Sequence, residues 1–235
     1  MKISKCLSAV LAAALVCGVA SSASAAVFWF SNTPYLSQAD IPAGFYAGGS
    51  PTVLEDFEDG ALDSTITATA ASWAITPSGN AFTDSVDGDD GNLDGSGING
   101  RSYVVFPSGQ AGPSVRFDFS GQILPTAAAL VWTDGIDGMI FKAYDAANNL
   151  LGSFTPGVSF ADGSFTGGTA EDRFFGVTYA GGIKAISIEN SNPFAGIEVD
   201  HIQYGYMVPE PGSIAIFLAF AGFGLFARWR RRRAG

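Results

Sequence analysis

Short runs of alternating apolar and polar residues, separated by turn-forming clusters, are the strongest constraint on how this chain folds. In residues 114–120 (SVRFDFS), Val115, Phe117 and Phe119 alternate with polar residues. Because successive side chains of a β-strand point to opposite faces, this run predicts a strand with one buried face. Similar runs recur between clusters of Gly, Asn, Asp and Pro, and no helical periodicity of useful length interrupts them.

Ten stretches of the middle of the chain are predicted to be strands. They are residues 52–58, 72–76, 102–106, 114–120, 127–133, 139–145, 149–155, 173–179, 183–190 and 196–205. Many short strands without intervening helices indicate an all-β fold, an antiparallel β-sandwich of jelly-roll type. We assign residues 51–206 to this sandwich. Residues 26–50, which are aromatic and contain Pro34 and Pro42, are expected to form an irregular lead-in that can pack over one sheet.

The N-terminus has the features of a secretory signal helix. Lys2 and Lys5 precede an apolar run at residues 7–19, and Ala23, Ser24 and Ala25 form a small-residue cleavage site. Residues 1–25 are therefore predicted to be removed by signal peptidase. Both cysteines, Cys6 and Cys17, fall in this segment, so the exported part has no thiol. Lipoprotein processing at Cys17 is an alternative, although Val16 suits it poorly.

The exported part is strongly acidic. Between Asp40 and Glu210 the chain has 22 acidic residues against five basic ones, a formal net charge of −17. Such a surface repels nucleic acid and attracts cations, so we expect no nucleic-acid partner.

The C-terminus combines a short apolar stretch with a cluster of arginines. Residues 213–227 carry no charge, and at about 1.5 Å per residue they reach roughly 22 Å, a marginal length for a hydrocarbon core of about 30 Å. The positive-inside rule places the arginines that follow in the cytoplasm, which makes this a single transmembrane helix with a stop-transfer cluster. The cluster consists of Arg228, Arg230, Arg231, Arg232 and Arg233. A permanent membrane anchor is the alternative interpretation.

The residues before this helix favour a more specific interpretation. Val208, Pro209, Glu210 and Pro211, followed by the apolar stretch and the arginines, resemble the PEP-CTERM sorting signal of bacterial surface proteins. The resemblance, which covers residues 207–235, implies recognition and cleavage by exosortase. It also implies an inner-membrane-anchored precursor that is later moved to the cell surface or the extracellular matrix.

Few residues suggest catalysis. His201 is the single histidine, it lies in a predicted strand near the apolar Val199 and Ile202, and no Gly-x-Ser-x-Gly motif accompanies it. We therefore expect a protein without enzymatic activity. A pair of carboxylates could still hydrolyse a glycosidic bond, so a glycoside hydrolase remains a further alternative.

Calcium is the cofactor that the acidic residues fit best, because it binds oxygen ligands from flexible loops. Asp90, Asn92 and Asp94, followed by Gly95, reproduce the first half of an EF-hand loop, but Arg101 stands where that loop needs a glutamate. A looser calcium loop and an acidic loop without an ion are both open.

The sandwich also resembles exported bacterial domains that precede PEP-CTERM signals and are related in shape to carbohydrate-binding modules. The resemblance rests on VLEDFEDG, VRFDFSGQ, FFGVTYAGG and GIEVDHIQYG. It implies an association with exopolysaccharide, or a carbohydrate-binding module supported by calcium. It also implies a structural calcium that joins the first strand to the last, with candidate ligands Glu55, Asp56, Glu58, Glu198 and Asp200. The aromatic residues that could contact a sugar are Trp73, Trp132, Tyr103, Tyr144 and Tyr179.

Overall fold

The computed structural model describes residues 25–107, 109 and 111–207 and contains twelve strands. They are β1 (Val27–Phe30), β2 (Val53–Glu55), β3 (Ile66–Ala70), β4 (Trp73–Ile75), β5 (Tyr103–Val105), β6 (Ser114–Phe119), β7 (Ala127–Gly135), β8 (Met139–Asp145), β9 (Leu150–Phe154), β10 (Arg173–Thr178), β11 (Ile183–Asn190) and β12 (Ile197–Gly205). The helical content of the described residues is one 3₁₀ turn, Gln38–Asp40.

The strands form two antiparallel sheets. Sheet A has seven strands in the order β1-β10-β7-β12-β5-β4, with β2 also paired to β12, and sheet B has five in the order β3-β6-β11-β8-β9. The prediction of an all-β antiparallel sandwich is confirmed, whereas the finer jelly-roll assignment stays a prediction. The predicted signal helix and transmembrane helix fall outside the described residues. Within the described part of the chain, no helix has the length and hydropathy needed to span a bilayer.

All ten predicted strands are present, and two further strands are found. β1 lies in the segment that was expected to be an irregular lead-in, where it pairs with β10 from Val27 opposite Thr178 to Phe30 opposite Phe175. β3 pairs with β6 at the edge of sheet B. The sandwich therefore begins before residue 51, because the first residues of the lead-in complete one edge of sheet A.

The main hydrophobic core lies between the two sheets. In β6 the buried positions are Val115, Phe117 and Phe119, the face predicted from the alternation. From sheet A, the core receives Trp132 and Phe175 among others. Burying aromatic side chains of this size is a main source of stability in such a fold.

The outer face of sheet A is covered as well, so β7, β10 and β12 are buried almost throughout. Tyr35, Phe45 and Tyr46 from the lead-in form a second apolar cluster with Val131 and Phe174 of the sheet. The loop of residues 77–101, hereafter the acidic loop, covers the neighbouring part of this face. This second cover is what buries the polar residues described next.

Candidate functional site

A row of polar side chains crosses the outer face of sheet A at one end. Arg173 of β10 and Val199 of β12 both lie opposite Trp132 of β7. Asp172 directly precedes Arg173 and Thr133 directly follows Trp132, so antiparallel register puts Asp172 beside Thr133. The polar residues next to this point on β12, Glu198 and Asp200, are buried too.

The acidic loop is fixed to this row by its backbone. The amide of Asp84 donates to Oε1 of Glu198 over 2.9 Å, and the amide of Val86 donates to Oδ2 of Asp200 over 2.8 Å. The hydroxyl of Ser102 also donates to Glu198. These bonds hold Asp84 against the sheet, where it is buried together with the strand residues. We call the resulting group the acid centre; it consists of Asp84, Thr133, Asp134, Glu171, Asp172, Glu198 and Asp200.

Five side-chain oxygens of the acid centre have no hydrogen-bond partner among the described residues. They are both carboxylate oxygens of Asp84, both of Asp172, and Oγ1 of Thr133. These three residues are 1%, 0% and 0% exposed. A buried polar group without a partner destabilises a fold, and a buried unpaired charge does so more strongly.

Basic side chains offset only a small part of this charge within the described residues. The lysine and arginine ion pairs, Arg116 with Asp118 and Lys142 with Glu189, lie on sheet B. Arg173 is close enough for its charge to lower the pKa of Asp172, but its Nη1 donates to the main-chain oxygens of Ala170 and Asp172. One arginine cannot balance six carboxyl groups, so the others must be neutralised by protons or by a bound cation.

Burial raises the pKa of every carboxyl group in the acid centre. It raises the pKa of Asp84 to about 9, with repulsion from Glu198 adding to the effect. Burial also raises the pKa of Glu171 to about 8, that of Glu198 to about 7 and that of Asp134 to about 6. Asp172 and Asp200 are fully buried, which raises the pKa of each well above its ordinary value. Without a cation, several of these groups hold a proton at neutral pH.

The loop residues predicted to bind calcium lie on the exposed side of the acidic loop. Asp90 accepts the amide of Asn99 over 3.4 Å, and Asp94 accepts the amide of Ser96 over 3.1 Å, while Asn92 is exposed. The buried Asp87 holds this turn, since its carboxylate accepts the amides of Asp94 and Gly95. The sequence pattern thus marks a turn stabilised by aspartates, and calcium binding there stays a prediction.

The second predicted calcium group is divided between two places. Glu55 accepts the amides of Phe57 and Asp63, Asp56 accepts the amide of Glu58, and Glu58 accepts the amide of Arg101. Asp200 is close enough to Asp56 and Asp89 for their charges to raise its pKa further. Glu198, by contrast, faces Asp84 and Ser102.

His201 lies at an irregular point of β12, and both of its ring nitrogens have polar partners. Its φ is 46°, a left-handed conformation uncommon for a residue with a side chain. Nε2 is 2.6 Å from Asp89 and Nδ1 is 3.2 Å from the hydroxyl of Tyr35. In the described part of the chain, Asp89, Asp200 and His201 form the group of three possible metal ligands whose ligand atoms lie within 4.8 Å of one another.

A groove of about 360 Å³ opens beside the acid centre. Phe82, Phe106, Phe165 and Phe194 line it and are 45–78% exposed, and Asp134 and Glu198 also line it. Of the aromatic residues proposed for sugar contact, Trp132 and Tyr103 are instead buried in the core. Trp73 is 47% exposed and stacks on Tyr103. The four groove phenylalanines lie outside the observed strands, and of these Phe106 alone falls in a run that was predicted to be a strand.

The tail matches a known sorting signal. Residues 208–233 match the PEP-CTERM protein-sorting motif. The chain carries a PEP-CTERM sorting motif. The resemblance seen in Val208, Pro209, Glu210, Pro211 and the arginines is thereby confirmed. The matched residues lie outside the described part of the structure.

Several solved structures resemble the sandwich at low identity. The K2 cleaved adhesin domain of Lys-gingipain is 15% identical with a TM-score of 0.41, over 65% of this chain and 98% of that chain. CpGH89CBM32-4 from Clostridium perfringens, solved in complex with GlcNAc-α-1,4-galactose, is 11% identical with a TM-score of 0.32, over 65% of this chain and 96% of that chain. TmCBM61, solved in complex with β-1,4-galactotriose, is 13% identical with a TM-score of 0.30, over 64% of this chain and 94% of that chain. None of the curated proteins compared matches the chain.

Proposed function

We propose that this is a non-enzymatic exported protein that exosortase sorts and cleaves through its C-terminal signal. Its precursor is anchored in the inner membrane, and the mature protein acts at the cell surface or in the extracellular matrix in association with exopolysaccharide. The observation that carries this proposal is the PEP-CTERM match at residues 208–233.

The order of the parts in the tail supports processing at the membrane. Proline disfavours helix, so the sequence Pro209-Glu210-Pro211 suits a segment that a protease cuts. The arginines that follow the apolar stretch stop translocation on the cytoplasmic side. The anionic membrane surface repels the strongly acidic exported part after release.

Mass spectrometry of the protein recovered from its host tests this processing. We expect a mature C-terminus close to residues 209–212, and we expect Pro209→Ala with Pro211→Ala to leave the uncut precursor in the membrane fraction. Pro156→Ala is the matched control, since this proline is far from the tail in sequence. Recovery of surface protein that still carries Arg228 to Arg233 would instead establish a permanent anchor.

A second function, carbohydrate binding, is favoured by the groove beside the acid centre. Aromatic rings can contact the apolar faces of a sugar, while carboxylate oxygens accept hydrogen bonds from its hydroxyl groups. The groove offers both, through its four exposed phenylalanines and through Asp134 and Glu198. Because the exported part has a net charge of −17, a neutral or amino-bearing polysaccharide suits this surface better than an acidic one.

Affinity electrophoresis in gels that contain the polysaccharide of the producing cells tests this function. The wild-type chain should be retarded, and Phe165→Ala with Phe194→Ala should migrate freely. Leu150→Ala with Ile123→Ala removes exposed apolar side chains outside the groove and should leave the retardation unchanged. Equal retardation of both double variants would refute a role for the groove.

The absence of enzymatic activity is tested with the same polysaccharide. We expect no release of reducing sugar. Release that is lost in Glu198→Gln would show that the carboxylates at the groove hydrolyse glycosidic bonds, and it would replace the binding function with a hydrolytic one.

A further inference from the structure

We infer that Asp84, Asp172 and Thr133 form a binding site for one calcium ion between the acidic loop and sheet A. The inference does not depend on the proposed function. It rests on the five buried side-chain oxygens that these residues hold without a hydrogen-bond partner in the described part of the chain. Native proteins leave few such atoms, so five in one place indicate a missing ligand.

The fold brings the three residues together from distant parts of the chain. Thr133 and Asp172 are neighbours because β7 and β10 pair with Arg173 opposite Trp132. Asp84 joins them through the acidic loop, which its own amide attaches to Glu198 on the adjoining strand. The carboxyl groups of Asp84 and Asp172 are close enough to interact electrostatically, so one cation can lie between them.

The chemistry of these atoms selects a hard divalent cation. All five are oxygens, and two carboxylates match the charge of one divalent ion. Zinc or copper would need nitrogen or sulfur ligands, and His201 already bonds Asp89 and Tyr35. Magnesium usually retains several waters, whereas calcium accepts an irregular set of protein oxygens. A buried site of this kind therefore favours calcium.

An ion at this position would join the acidic loop to the sheet. Asp84 belongs to the loop, while Thr133 lies in β7 and Asp172 next to β10. Calcium removal should then loosen the loop first, because it breaks the link between Asp84 and the strand residues and leaves the main-chain bonds to Glu198 and Asp200 to hold this part of the loop. Limited proteolysis should cut within residues 77–101 faster in EDTA than in calcium.

The test is a calcium titration of the full chain, purified in a mild detergent and freed of metal with EDTA. We expect one calcium per chain by isothermal titration calorimetry, and at 100 times the Kd a rise in Tm of roughly 5–10 °C. Magnesium should bind at least tenfold more weakly. Asp84→Asn and Asp172→Asn should each abolish the calcium-dependent rise while melting at or above the metal-free wild type, because an asparagine is neutral without the proton that a buried carboxyl group must take up on folding.

Two control variants separate this site from the other acidic groups. Asp94→Asn affects the exposed turn and Asp89→Asn affects the group at His201, and both should keep the full calcium response. Thr133→Val preserves the shape of a buried strand residue and should weaken calcium binding several-fold, which tests the site even where an aspartate variant does not fold. The inference is overturned by a wild type that does not respond to millimolar calcium. It is equally overturned by a response that survives Asp84→Asn with Asp172→Asn, or that is lost in Asp89→Asn or Asp94→Asn alone.

Discussion

Replacing Asp84 with asparagine should remove a pH-dependent loss of stability from the metal-free protein. Burial raises the pKa of Asp84 from 3.8 to about 9. The unfolded chain therefore releases this proton near pH 4, while the folded chain keeps it. The stabilising contribution is complete below the unfolded pKa and is lost as the pH rises towards the folded pKa.

The size of this stability change follows from one extra proton that the folded chain holds and the unfolded chain does not. Over the interval between the two pKa values, the free energy of unfolding falls by about 1.4 kcal/mol per pH unit, or roughly 2.7 kcal/mol between pH 5 and pH 7. Glu171 and Glu198, whose pKa values are raised to about 8 and about 7, change stability in the same direction. Stability of the metal-free wild type should thus be highest in mild acid.

Urea unfolding of the full chain in EDTA, followed by tryptophan fluorescence at pH 5, 6 and 7, measures this slope. For Asp84→Asn, the free energy of unfolding should fall less steeply with pH, by the contribution of about one bound proton. Asp145→Asn is the control, because hydrogen bonds with Asn149 lower the pKa of Asp145, and its contribution is lost only as the pH falls. Equal slopes for the wild type and Asp84→Asn would refute the conclusion that the Asp84 carboxyl is buried without a partner.

Two further predictions concern packing. Gly176→Ala should lower the free energy of unfolding by roughly 1–3 kcal/mol in urea, because the new Cβ would lie 2.7 Å from the ring of Phe45, which is buried; unchanged stability would show that this ring can move aside. Phe175→Ala should cost about 3–5 kcal/mol in the same assay, because its ring contacts Phe30 and Phe141 in the core, whereas Leu150→Ala on the surface should cost much less.

The sequence was a good guide to local structure because alternation and turn residues act over a few positions. Residues 114–120 show this, since the predicted buried face is the one that enters the core. β1 and β3 could not be identified in this way. VFWF is apolar throughout and ITATA has small side chains at its partly buried positions, so both become strands through partners far along the chain.

The candidate site could be predicted only in part. Glu198 and Asp200 were candidates because the resemblance to carbohydrate-binding modules implies a calcium ion between the first strand and the last. Asp84, Thr133 and Asp172 were not selected, because their meeting depends on the register of β7 with β10 and on the path of the acidic loop. Neither the register nor the loop path leaves a local pattern, and tertiary pairing decides both.

The last strand ends very close to the sorting motif. β12 stops at Gly205, so Tyr206 and Met207 alone precede the matched residues, and the amide of Met207 donates to the hydroxyl of Thr126 over 2.9 Å. Two residues span at most about 7 Å. A cut near Pro209 would consequently leave a blunt C-terminus held against the edge of the folded body, and anything joined to that new end would sit in a fixed orientation instead of on a flexible tether.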